Sequence, residues 1–213
     1  MTTDVIPNLV PAPRRQPPGK LATAEAFIEW LDDTTRAEWV KGEVTILSPV
    51  SKPHQEMVLF LGTLIKHFAE YHDLGLVMIA PFPVKLPRSI SVREPDVLFL
   101  TSEHVGQALQ TAVDGPVDLA IEIISPDSRA RDHGEKYYEY EQDGVREYWL
   151  IDPQRKKAEF FRLGADGTYD PVVPSSDGIF RSDVLDGFWL NVNWLWQEPL
   201  PQVLDILREW KLV

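Results

Sequence analysis

Apolar residues recur along the chain with two periods, one near 3.6 residues and one of two residues. The helical period appears first after Thr23, which can cap a helix whose apolar side is Ala26, Phe27, Trp30 and Leu31. It returns most strongly after Ser51, a good N-cap with Pro53 in the first turn. From there to about His72 the apolar side is Met57, Phe60, Leu61, Leu64, Ile65 and Phe68. Residues 128–143 are charged and helical in character and close at Gly144, and Gln202–Trp210 reads as a short last helix. Between these lie strand patterns. "EWVKGEVTILSP" reads as a hairpin around Lys41-Gly42. Further strands are predicted at Leu76–Ala80, Pro83–Leu86, Val92–Leu100, 117–124 and within "REYWLIDP". "KAEFFRL" and "TYDPVV" flank Ala165-Asp166-Gly167 as a second hairpin. This order predicts an α/β (α+β) fold with a mixed β-sheet flanked by helices.

The pattern begins only after residue 20. Residues 1–20 are proline-rich with few large apolar side chains, and are expected to be a disordered tail before one domain at 21–213. A chain of 213 residues is long enough for one sizeable core. No apolar run approaches the length of a membrane span, and the first residues lack the apolar stretch of a secretory signal. There is no cysteine, so disulfides and thiolate metal sites are excluded; a reducing, cytoplasmic setting is the expectation. The net charge of −12 means that any nucleic-acid-binding surface has to be local.

Two carboxylates interrupt strand patterns. Asp96 stands in "VREPDVLFL" and Glu122 in "LAIEIIS", each among residues that belong in a core. A buried charge is costly unless it is paired or binds a metal. Two readings fit. On neighbouring strands the two acids would form a hard oxygen site for Mg²⁺ or Mn²⁺, with Lys136 about three turns into the following helix as a candidate cation. Alternatively they are structural acids paired with Arg93, Arg129 or Arg131. Tyr137 and Tyr140 read as packing residues. Trp189, Trp194, Trp196 and Trp210 form either a core flap or an oligomer surface.

An ordered set of pieces carries a family resemblance: "EWVKGEV", "SPVSKPHQEMV", "VREPDVLFL", "VDLAIEIISPDSRARDHGEKYYEYEQDGVREYWLIDP" and "DVLDGFWLNV". The chain resembles the Uma2 family of the PD-(D/E)XK nuclease superfamily over about residues 21 to 192. The resemblance implies a restriction-endonuclease-like core and metal-dependent hydrolysis of a phosphodiester, with DNA as the expected partner and a homodimer as the expected assembly. It maps the two metal-binding acids onto Asp96 and Glu122. The superfamily's lysine stands two residues after the second acid, where this chain has Ile124; Lys136 is the matching residue from the following helix. Two more residues fall in the family's pattern, Glu43 as a third carboxylate and His54 as a contact to phosphate or water. Glu56 reads as a solvated helix acid. A rival expectation is a catalytically degenerate nuclease fold that acts as a binding or regulatory module.

Overall fold

The computed structural model describes Gln16, residues 19–32 and residues 34–213. The expected disordered tail, with Arg14 and Arg15, lies almost wholly outside the described residues.

Helix α1 (Ala24–Trp30) starts where Thr23 accepts the Ala26 N–H, and it buries Phe27. It packs on a small antiparallel sheet built from β1 (Ala37–Val40), β2 (Glu43–Ile46), β4 (Val84–Leu86) and β5 (Ser91–Arg93), in the order β2-β1-β5-β4. Helix α2 (Lys52–Tyr71) is capped by Ser51, and its predicted apolar side is buried.

The main sheet is mixed and six-stranded. It contains β3 (Gly75–Ile79), β6 (Val97–Thr101), β7 (Leu119–Ile123), β8 (Glu147–Asp152), β9 (Lys157–Leu163) and β10 (Tyr169–Val172). Its order is β10-β9-β8-β7-β6-β3, and only β7 and β8 run parallel. The crossover between those two strands is helical: α3 (Arg129–Arg131), a π turn at Asp132–Lys136, and α4 (Tyr137–Asp143). A positive-φ Gly144 ends it. A parallel pair needs such a crossover, which carries a helix from the end of β7 back across the sheet.

Side chains alternate along β7. Leu119, Ile121 and Ile123 enter the core under α2, with Phe60, Leu64 and Trp149. Ala120 and Ile124 enter the opposite core, with Tyr140 and Tyr148. Glu122 falls on this second side, beneath the crossover helix.

Two expectations change. The single strand expected at Val92–Leu100 is two strands in different sheets, β5 and β6, separated by Glu94-Pro95-Asp96. Pro95 has no N–H to give a ladder, and the chain changes sheet there. β11 (Ile179–Arg181) and β12 (Trp189–Asn191) form a two-stranded ribbon that the sequence pattern did not predict, followed by α5 (Val203–Glu209). The tryptophan-rich segment folds inward onto α2, with Trp210 5.6 Å from Phe68 between ring centroids. Among the described residues, no helix is long and apolar enough to cross a membrane.

Because α2 is held through this apolar side, Leu61→Ala should cost about 2 to 5 kcal/mol in a urea unfolding titration, through a cavity under the helix. A loss below about 1 kcal/mol would mean that this face does not anchor α2.

Candidate active site

Three chain segments end in one place. The end of β7 brings Glu122, the break before β6 brings Asp96, and the N-terminal turn of α2 brings His54. The register of β6 against β7 pairs Val97 with Ile121, so Asp96 lies one step further along, beside Glu122. The Ile123 N–H donates to Asp96 Oδ2 at 2.8 Å, which fixes that carboxylate to the strand that carries Glu122. His54 Nε2 lies 3.1 Å from the same oxygen, while the buried Nδ1 has no partner among the described residues.

The crossover helix closes the site. Lys136 Nζ donates to Glu122 Oε1 at 2.8 Å, and the Tyr140 hydroxyl donates to the same oxygen at 2.9 Å. Asp132, Lys136 and Tyr140 are four residues apart and share a face, so one side of the helix supplies all three. The π turn ends at Lys136. Such wide turns are rare and concentrate at functional sites.

A residue not singled out from the sequence completes the arrangement. Glu38, in the middle of β1, is buried between the two sheets. Its Oε1 lies 2.8 Å from Lys136 Nζ. Its Oε2 lies 3.0 Å from an Arg93 nitrogen and 3.3 Å from Arg131 Nε. Lys136 is therefore clamped between Glu38 of the small sheet and Glu122 of the main sheet, with Asp132 Oδ1 at 3.6 Å.

The electrostatics follow from this geometry. Burial alone would raise the Glu38 pKa; Lys136 and Arg93 outweigh it and hold it at about 2. Burial would favour neutral Lys136, but Glu122, Glu38 and Asp132 raise its pKa and keep it charged. Glu122 is pushed well above the ordinary carboxylate range, first by burial and then by Asp132, Asp96 and Glu38, against the pull of Lys136. Asp132 is raised chiefly by burial, and neither of its carboxylate oxygens has a hydrogen-bond partner among the described residues. The chain thus concentrates more negative charge here than Lys136 neutralises.

Other expected residues lie elsewhere. Glu43 does not reach the site: it is exposed on β2, with Lys20 3.6 Å away. Its neighbour in the hairpin, Glu38, takes the buried place because β1 is covered on both faces while β2 is not. Glu56 is exposed and 3.3 Å from Lys52. The arginines proposed as partners for Asp96 and Glu122 go to other acids: Arg93 and Arg131 to Glu38, and Arg129 to Asp152. Tyr140, read as a packing residue, also binds Glu122.

A cavity of about 370 Å³ opens over this group. His54, Asp96, Glu122, Lys136 and Arg131 line it, together with the Ser125–Ser128 turn. Among the described residues, no hydrogen bond reaches Asp96 Oδ1 or Glu122 Oε2. Nor do three or more His, Asp or Glu side chains among the described residues form a preassembled metal cluster. Two carboxylates, each with an oxygen to spare, and an excess of negative charge fit a hard divalent cation that keeps most of its own water, as Mg²⁺ does.

Glu38→Gln should destabilise the fold at neutral pH by about 3 to 5 kcal/mol, since it leaves buried cations under-compensated. The Glu38 pKa is lower folded than unfolded, so its stabilisation is present above about pH 4.5 and fades as pH falls toward 2. The gap between wild type and variant in chemical unfolding should narrow across that window. A gap independent of pH would show that the carboxylate charge is not what Glu38 contributes.

The family described as "Uma2: Putative restriction endonuclease" matches residues 24–193. A crystal structure described as a putative nuclease belonging to DUF820 from Anabaena variabilis ATCC 29413 superposes with a TM-score of 0.69 at 14% identity. The match covers 82% of this chain and 97% of that one, and is a likeness of fold. No curated protein matches the chain.

Proposed function

The chain belongs to the Uma2 family, described as putative restriction endonucleases, and on that premise we propose that it is a metal-dependent phosphodiester hydrolase acting on DNA. The observation that carries this reading is the Lys136 ammonium, held 2.8 Å from Glu122 although position 124 is isoleucine. The lysine also ties Glu38 of the small sheet to Glu122, and it lines the cavity beside Asp96 and His54, where a reacting group is needed. Here it is fixed there at the cost of desolvation.

Asp96 and Glu122 would hold Mg²⁺ or Mn²⁺ through the oxygens that carry no hydrogen bond. When bound, the cation supplies Lewis acidity at the phosphate and neutralises part of its charge. The chain's own groups do the rest. Lys136 orients a water on the Glu122 side and offers positive charge to the developing oxyanion. Tyr140 fixes Glu122 so that its second oxygen faces the cavity. The Ile123 N–H does the same for Asp96. His54 stands beside Asp96, where it can meet a substrate phosphate oxygen, and Arg131 lines the same cavity as a second cation. Preorganisation of this kind spares the site reorganisation when charge develops.

Calorimetric titration of Mn²⁺ should show binding to the wild type and none to an Asp96→Asn/Glu122→Gln double variant. In Mg²⁺, supercoiled plasmid should be nicked by the wild type, and Lys136→Ala should lose about 100-fold or more in rate. A Lys136→Ala protein that unfolds like wild type and cleaves at the wild-type rate would remove the lysine from the mechanism. Wild-type protein that binds Mn²⁺ yet leaves DNA intact would favour a binding module.

A further inference from the structure

Beside the catalytic cavity lies a second, more open recess, lined by Pro126, Arg129, Ala130, His133 and Arg155. The two depressions share Pro126 and are bounded by the same two segments. Residues 125–128 and 153–154 line the first, and residues 129 and 155 the second. They meet at Pro126, next to the ends of β7 and β8.

The chemistry changes from the first depression to the second. The catalytic cavity mixes acids and bases, including Glu94, Asp96, Glu122 and Asp127. The second recess has no carboxylate in its lining, and three of its five residues carry cationic or protonatable side chains. Carboxylates hold two of its basic side chains and the backbone of the third. Asp152 Oδ2 accepts from Arg129 at 2.8 Å, and Asp152 Oδ1 accepts the Arg155 N–H at 3.0 Å. Glu159 lies 2.9 Å from His133 Nε2. Arg129 still has a quarter of its side chain exposed. The β8–β9 turn and the first residue of β9 then present Arg155, Lys156 and Lys157 in succession, all exposed. Lys157 is paired with Glu159 at 2.8 Å, while Lys156 meets no carboxylate among the described residues. In a chain of net charge −12, this run of cations next to the cavity needs a reason.

We propose that this basic shoulder is the track for the DNA backbone, binding the phosphates adjacent to the one in the catalytic cavity. The inference rests on the hydrolase reading for its choice of DNA, and it adds the direction in which the strand leaves: from Glu122, over Pro126, to Arg129 and the β8–β9 turn. The contacts are to phosphate, so they hold the strand without reading its sequence. They also reconcile an acidic protein with a polyanionic substrate, because the attraction is confined to one shoulder.

The test uses the full chain with Arg155→Glu and Lys156→Glu together, both exposed and neither lining the catalytic cavity. Binding of a fluorescein-labelled DNA duplex is followed by anisotropy across a salt series, alongside hydrolysis of bis(p-nitrophenyl) phosphate in Mg²⁺. That small ester can enter the catalytic cavity without touching the shoulder. The variant should bind the duplex more weakly, with the slope of log affinity against log salt reduced by about two, and should hydrolyse the ester as wild type does. Equal affinity and equal slope in variant and wild type would overturn the proposal, as would a wild-type protein that does not bind the duplex. If binding behaves as expected while neither ester nor DNA is cleaved, the hydrolase reading fails and the shoulder stands.

Discussion

The Lys136 ammonium is buried, and the surrounding architecture can be understood as the means of keeping it so. An unpaired cation in that position would either lose its proton or drive the helix away from the sheet. Glu122 reaches it from the main sheet and Glu38 from the small one, each at 2.8 Å. The two sheets share no strand. The lysine is therefore both a candidate reactive group and a bolt between two layers. Glu38 in turn needs Arg93 and Arg131, and Arg93 continues outward to Glu139 on α4. The charge is passed by steps from the dry interior to the surface of the crossover helix.

Much of this was legible in the chain. Acids embedded in runs such as "LAIEIIS" stand out because hydrophobic strands exclude charge unless something compensates it, and Glu122 is where that logic places it. The caps at Thr23 and Ser51 and the two helices they open were also readable, since capping is local chemistry. Asp96 was found by the same signal, but its setting was not. The sequence read as one long strand, whereas the chain changes sheets at Pro95, and the acid lies in that joint rather than on a continuous strand.

Glu38 shows what the sequence concealed. It sits between Ala37 and Trp39, with the same buried-acid pattern as Glu122, only four residues long. The sequence offers Glu43, on the other arm of the hairpin, as an equal candidate. Which arm is covered depends on contacts from Arg93 and Lys136, more than fifty residues away, and no local pattern reports them. The role of Tyr140 was hidden for a related reason. A tyrosine on a helix face packs whether or not its hydroxyl also finds a carboxylate.

The π turn before Tyr137 sets a constraint of a different kind. A regular helix advances about 100° for each residue, so removing one residue from this segment would rotate everything beyond it by that angle relative to the sheet. Gly134 lies inside the turn with open space around it, so its side-chain position tolerates change. Its presence as a spacer does not. Substitution along Asp132–Lys136 and deletion within it are thus unequal events. The length of the segment is part of the candidate site's address, and a single lost codon could dismantle that site while leaving every one of its residues encoded.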